Sequence, residues 1–253
     1  MERRITFVNH ATLLIEIDGA SILTDPIYGL MVSPVVPRLR RPGIPFDDLP
    51  PIDLILISHN HYDHLHLRTL RRLARRNPST IILPAGDTKY GRRAGFQDIA
   101  ETQWWESVER KGARITAVPA KHLAGRFPWG RNRSICNGYV VEAGDTALYY
   151  AGDTGYSETF KEIGKRFELD GALLPIGAYK PYDWFREIHL NPRTAVQAFL
   201  DLQAKFLVPY HWGTFKISDE PMSEPPAFLK QEAERSGISD RVHILKNGEF
   251  FAW

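Results

Sequence analysis

A single cysteine, Cys136, stands in the 253 residues. One thiol excludes an internal disulfide framework and leaves a thiolate metal cage without its ligands, which fits a reducing compartment. Such a residue is expected as a buried apolar contact. Long apolar runs are missing too: none approaches the roughly 20 residues that a membrane-spanning helix needs. A strand pattern starts almost at once after Met1-Glu2-Arg3-Arg4, so the expectation is a soluble, cytoplasmic protein, with peripheral membrane contact left open. There is no Gly-x-Ser-x-Gly elbow for a serine nucleophile, no low-complexity tract and no short-period repeat. Net charge is small, at +2, but unevenly placed: residues 1–133 hold 20 Lys+Arg against 13 Asp+Glu, and the remainder hold 12 against 17. The densest basic clusters are Arg38, Arg40 and Arg41, then Arg68, Arg71, Arg72, Arg75 and Arg76. They read either as a solvated helix face or as a contact for phosphate or a membrane surface.

What is present is a chain that is 43% hydrophobic, enough to bury one sizeable core, and residues 1–253 read as one α/β domain. Ile5 to Val8, Thr12 to Ile17 and Ser21 to Thr24 read as strands, the last two joined by an Asp18-Gly19 hairpin turn. His10 falls between the first two and either lines a site or packs. Asp25 ends the third, where a carboxylate caps a turn or braces a ligand from behind. Residues 26–51 are proline-rich loop, of the length that forms walls or lids. A basic helix over 67–76, strand 80–83, a short helix over 87–95 and strands over 99–105 and 114–119 follow. A second hairpin spans 139–150 about Gly144-Asp145. Then come helix 158–167, strand 171–175, a helix opened by Asn191-Pro192 and running to Leu202, strand 206–209, a helix over 225–236 and a strand over 242–245.

The chemistry concentrates in Ile55 to His66, where a buried-strand run ends in His59, His61, Asp63, His64 and His66. His-x-His-x-Asp-His at a strand tip can turn neutral imidazoles and a carboxylate toward one point, a donor set for zinc or a similar borderline divalent ion. Three more strand ends finish in His122, Asp153 and His211. Alone, either histidine would read as a core or loop residue and the aspartate as a turn residue. Together with the five-residue cluster they read as the remaining ligands, with Asp153 as a bridge between two metals.

These residues resemble the metallo-β-lactamase superfamily and, within it, the N-acyl-phosphatidylethanolamine-hydrolysing phospholipase D family. The likeness is carried by Ser58-His-Asn-His-Tyr-Asp-His-Leu65, Ala151-Gly-Asp-Thr-Gly-Tyr156, Pro175-Ile-Gly-Ala-Tyr179 and His211-Trp-Gly-Thr-Phe215, with Thr24-Asp-Pro26, Trp104-Trp105 and Glu224-Pro-Pro226, and runs from about Phe7 to Pro226. It implies an αββα four-layer sandwich, two mixed β-sheets flanked by helices. It implies one zinc on His59, His61 and His122, a second on Asp63, His64 and His211, and Asp153 shared, with Mn²⁺ or Fe²⁺ as substitutes. His189 matches a family position near the active site. The sequence departs from the pattern at His66, where an Asp is more usual, and at Leu123, where a Trp follows the third histidine ligand.

Two divalent ions can activate water and clamp a phosphoryl oxygen without a covalent nucleophile. The expected activity is therefore phosphodiester hydrolysis, by resemblance of an N-acyl phosphatidylethanolamine, with Asp63 as ligand and orienter of the attacking water and His189 as polariser or proton carrier. A small-molecule or phospholipid substrate is the expected partner, and a homodimer is left open. The apolar loop at 27–36, which includes Val35, and Trp129, Tyr179, Tyr182, Trp184 and Phe185 are candidates to bed acyl chains. The rival enzyme is a metal-dependent lactonase with the same ligands, and the rival class is a non-catalytic metal-binding protein, which would have lost ligands. No nucleic acid is expected, because the arginines are not interleaved with aromatics. A redox di-iron site is disfavoured, since Asn60 and His61 stand where a glutamate ligand would be expected.

Overall fold

Asp18 and Gly19 both take positive φ, 45° and 87°, the conformation of a two-residue hairpin turn that matches strand twist. That turn folds β2 (Thr12–Ile17) back onto β3 (Ala20–Thr24), and β1 (Arg4–Asn9) lies on the other side of β2, so Ile15 faces Ile5 and Ile22. The computed structural model describes residues 3–33, 36–126 and 134–253. In the long loop a small ribbon, β4 (Met31–Ser33) with β5 (Val36–Pro37), is the regular addition to the expected irregular chain. β3 then pairs in parallel with β6 (Leu54–Leu56), which pairs in parallel with β7 (Thr80–Pro84), and that with β8 (Asp98–Thr102).

The second sheet is built from β9 (Ser107–Arg110), β10 (Ala113–Pro119), β11 (Asn137–Ala143), β12 (Thr146–Tyr150), β13 (Gly171–Pro175) and β14 (Phe206–Tyr210). Its first four strands are antiparallel neighbours, and β12, β13 and β14 run parallel. Side-chain alternation assigns the layers. In β2, Leu13, Ile15 and Ile17 join the core shared with Ile115, Tyr139 and Val141 of the second sheet, while Leu14 turns to the other face. In β6, Leu54 and Leu56 face the first way and Ile55 the second. That second face is covered by α1 (Leu67–Arg76), through Leu70 and Leu73, and by α2 (Thr88–Ala94), through Ala94. Across the molecule α3 (Thr159–Arg166), α5 (Pro192–Leu202) and α6 (Glu224–Arg235) cover the second sheet with Phe160, Ile163, Phe199, Leu202 and Leu229. Each such fully buried side chain contributes about 1.5–3 kcal/mol. The result is the αββα sandwich, two mixed sheets between helices.

Helix ends follow the sequence closely. Asn191 caps α5 through a capping box with Thr194, and Pro192 occupies the first turn. His66 caps α1: its Nδ1 accepts from the Thr69 N–H at 3.2 Å. The fourth imidazole of the 59–66 run is thereby spent on a helix start. A single turn, α4 (Tyr182–Phe185), precedes His189 and has no counterpart in the sequence reading.

Three expectations are corrected. The strand expected over 242–245 is a lone parallel bridge from Val242 to Leu207; the strand that closes the first sheet is β15 (Phe250–Ala252), which pairs with β1 at Ile5 and Phe251. The run expected over 99–105 stops at Thr102, because Trp105 takes φ +70° and turns the chain. β9 was not expected at all, since this exposed edge strand, Ser-Val-Glu-Arg, has no apolar face to alternate.

Candidate metal centre

Strand direction decides where the functional side chains meet. β1, β3 and β6 run the same way in one sheet, as do β10, β12 and β14 in the other, and their carboxyl ends share an edge of the sandwich. His10 follows β1, Asp25 follows β3, and His59 to His64 follow β6. His122, Asp153 and His211 follow β10, β12 and β14. His10, Asp25 and His211 take positive φ of 48°, 33° and 63°, a conformation that costs non-glycine residues roughly 1–3 kcal/mol and gathers at functional sites. Gly152 precedes Asp153 at φ +62°, where a Cβ would lie 2.5 Å from Ser58 Cβ, so this turn requires glycine.

The side chains form two groups joined by one carboxylate. His61 Nδ1 lies 2.9 Å from His59 Nε2 and 3.3 Å from His122 Nε2. In the second group His64 Nε2 lies 3.2 Å from His211 Nε2 and 3.5 Å from Asp63 Oδ2, which is 3.7 Å from His211 Nε2. Asp153 Oδ2 sits between them, 3.1 Å from His64 Nε2, 3.2 Å from His211 Nε2 and 4.0 Å from His122 Nε2. His189 Nδ1 is 4.0 Å from the same oxygen, its ring edge-on to His122 at 4.9 Å. All seven ligand candidates and His189 thus come together from across the chain.

The donors fit divalent cations. Within each group the nitrogen and oxygen atoms lie within 4.8 Å of one another, the span of a shell with bonds of about 2.0–2.2 Å. The outer nitrogens fix the tautomers, because their partners can only accept or are committed elsewhere. His64 Nδ1 donates to Asp25 Oδ2 at 2.6 Å, and His122 Nδ1 donates to Ile188 O at 2.8 Å. Ser58 Oγ donates to Asp25 Oδ2, so His59 Nδ1 donates to Ser58 Oγ at 3.0 Å. When neutral, each of these rings presents the lone pair of Nε2 toward the others. Asp153 Oδ1 and His189 Nδ1 are buried with no hydrogen-bond partner among the described residues. Buried polar atoms left so call for a ligand.

Charge tells the same story. Burial and facing imidazoles hold His59 well below the ordinary histidine range; burial lowers His122 to about 4 and His189 to about 3. Burial opposes protonation of His64 and His211 as well, yet Asp153, Asp63 and Asp25 raise His64 well above its usual value, and Asp153 and Asp63 raise His211 to about 9. In the metal-free protein those protons balance the carboxylates, and a cation takes their place.

Asp25 resolves as the brace rather than the turn cap: besides His64 it accepts from Ser58 N (2.7 Å), Ser58 Oγ (2.5 Å) and Tyr150 Oη (2.6 Å). Asp25→Asn, which sets an amide against the His64 N–H, should weaken metal binding 10–100-fold in a chelator competition; unchanged affinity would remove Asp25 from the site. Sequence reasoning missed Asn60, whose amide donates to Asp87 Oδ1 and Ser134 Oγ and accepts from Gly125 N, pinning the loop between two ligands. Its position between His59 and His61 was the available signal; Tyr150 gave none. Among the apolar residues expected to bed a substrate and their neighbours, Leu30, Met31, Leu123, Tyr182 and Trp184 are exposed, Trp184 by 76%. Tyr179, expected to bed an acyl chain, is buried and donates to Glu224 Oε1 at 2.7 Å. Val35 and Trp129 lie outside the described residues. Arg38 is a clamp rather than an anion contact, donating to Ile27 O, Gly29 O and Asn9 Oδ1.

A helix-clad double sheet with a histidine–aspartate cluster able to hold metal on one edge is the arrangement of the metallo-β-lactamase superfamily. The β-lactamase superfamily domain model matches residues 20–212, which hold all seven ligand candidates. Over 261 residues the chain is 31% identical to the N-acyl-phosphatidylethanolamine-hydrolyzing phospholipase D 1 of Caenorhabditis elegans, with 97% of this chain and 72% of that one covered. The chain therefore belongs to the β-lactamase superfamily domain family and, within it, to the family of phospholipase D-like proteins of that kind. It is 38% identical over 250 residues to an uncharacterized protein of Mycobacterium tuberculosis, covering 95% of this chain and spanning 66% of that protein's length. Igni18, a metallo hydrolase from Ignicoccus hospitalis, has the same fold, with a TM-score of 0.77 at 22% identity over 100% of this chain and 99% of that one.

Proposed function

We propose that the protein is a phosphodiesterase of phospholipase D type that holds two zinc ions and cleaves N-acyl phosphatidylethanolamine-like lipids. The observation that carries the reading is Asp153 Oδ2, within 3.1–4.0 Å of histidines from both groups, the placement of a carboxylate shared between two cations. The C. elegans relative's name supports the substrate class. His59, His61 and His122 would hold one ion, Asp63, His64 and His211 the other. When bound, such a pair lowers the pKa of water and neutralises charge on a phosphoryl oxygen.

The rest is work for the chain itself. Asp63 accepts from His10 Nε2 at 3.0 Å, which fixes the carboxylate as it orients the attacking water. His189 is kept neutral by burial, so its Nδ1, in the tautomer that carries the proton there, can donate a hydrogen bond to a phosphoryl or leaving oxygen. Buried donors fixed before substrate arrives need no reorganisation during reaction. The exposed Tyr182 and Trp184 of α4, whose Phe185 ring lies 5.5 Å from His189, offer apolar surface beside that atom for an acyl chain.

The test is a side-by-side assay of zinc-loaded protein on an N-acyl phosphatidylethanolamine dispersed in detergent, a soluble bis-aryl phosphate and a medium-chain lactone. Release of N-acylethanolamine and phosphatidic acid is expected. Lactone opening without phosphodiester cleavage would transfer the site to the rival reaction.

A further inference from the structure

His10 lies outside the seven ligand candidates, yet everything about it is tied to them. Its backbone N–H donates to Thr214 Oγ1 at 2.9 Å, and its carbonyl accepts from the His211 N–H at 2.8 Å. Both backbone groups are thereby committed to the turn that carries a ligand. The residue is 1% exposed and stays in a left-handed conformation, φ +48°, because its surroundings over-determine it. The ring packs on His211, centroids 4.1 Å apart, and edge-on against Phe215 at 5.1 Å. Held from three sides, it places Nε2 3.0 Å from Asp63 Oδ2. A carboxylate only accepts, so the imidazole donates.

We propose that His10 is a positioning residue for the Asp63–His64–His211 half of the centre, holding the Asp63 carboxylate in one orientation by N–H donation and the His211 ring in place by packing. The proposal rests on the two-ion reading above. It assigns a task to a residue that precedes the segment matched by the family model, residues 20–212. A ligand role is the competing assignment, since His10 lies in one group with Asp63, His64 and His211. Placement favours positioning: His64 and His211 lie 3.1 and 3.2 Å from the shared Asp153 Oδ2, whereas Asp63 is the one carboxylate within 4.0 Å of the His10 ring nitrogens among the described residues.

The experiment uses zinc alone as probe, with stoichiometry by mass spectrometry and stepwise affinities by competition with a chromophoric chelator. His10→Phe keeps a packed ring and removes the N–H; His10→Gln keeps a donor of similar reach. Two equivalents are expected on the wild type. In His10→Phe one affinity should fall 10–100-fold, the usual cost of losing a partner behind a ligand, with the other within about twofold. His10→Gln should recover most of the loss. Should His10→Phe fail to fold, His10→Asn, polar but too short to reach Asp63, takes its place. Wild-type affinities in His10→Phe, or equal losses in the Phe and Gln variants with unchanged far-ultraviolet dichroism, would overturn the proposal. So would complete loss of one equivalent in both, which would make His10 a ligand. A wild type that binds fewer than two equivalents would instead bring down the two-ion reading itself.

Discussion

Replacing Asp153 with alanine is expected to lower phosphodiester turnover by more than about 100-fold and to reduce bound zinc at the same time. Partners that merely stand behind a ligand are worth 10–100-fold, and Asp153 stands between the two groups rather than behind either. Its Oδ2 is 3.1 and 3.2 Å from His64 and His211 and 4.0 Å from both His122 and His189. No other carboxylate among the described residues comes within 4.0 Å of His122 or His189. The fold should survive the change, because His211 and His64 owe part of their raised proton affinity to this carboxylate and can discharge when it goes. Asp153→Asn keeps the shape and removes the charge, so it should bind less metal than the wild type while melting close to the chelated wild type. Metal content by mass spectrometry and kcat on the same preparation read the result. Full turnover in either variant would show that the carboxylate shared by the groups takes no part in the reaction.

Why some of this was legible and some was not follows from range. Ligand spacing in His59-x-His61-x-Asp63-His64 is local, and the remaining ligands stand just past apolar strand runs, so periodicity placed them on strand ends before any coordinates. Whether those ends share an edge depends on strand direction, which the resemblance supplied and the alternation of residues did not. His10 and Asp25 show the limit: a histidine in a turn and an aspartate before proline have ordinary local roles, and only partners 53 and 39 positions away, Asp63 and His64, give them others. β15 was missed for the same reason, since three residues become a strand by pairing with β1 at the far end of the chain. His66 shows the reverse error of emphasis. It shares the histidine run, but the start of α1 takes its ring, and Gly29 packs so close that a Cβ there would lie 2.6 Å from His66 Nε2.

Removing metal should cost stability as well as activity. A cation at 1,000 times its Kd stabilises the native state by about 4 kcal/mol, which for a chain of this size corresponds to a Tm difference of about 8–16 °C between zinc-loaded and chelated protein at pH 7. In the chelated protein the pH dependence has a definite sign. Burial lowers His10 and His189 to about 3 and His122 and His66 to about 4. Between about pH 4 and 6.5 the unfolded chain therefore binds protons that the folded chain does not, and stability falls as pH falls, by up to about 1.4 kcal/mol per pH unit for each such histidine. His211, raised to about 9, works the other way: its contribution is fully present below pH 6.5 and is lost as pH rises toward 9. Asp63 and Asp153, held well below the usual carboxylate range by His64 and His211 although burial opposes them, lose theirs only below about pH 4. Chelated protein should thus melt lower both at pH 5 and near pH 9 than at pH 7. The gap to the zinc-loaded form should narrow at pH 5, where protons compete for the ligands. Thermal unfolding followed by dichroism at these three pH values, with and without chelator, checks every arm. Equal melting temperatures with and without zinc at pH 7 would mean that the converging histidines bind no ion tightly enough to matter for the fold.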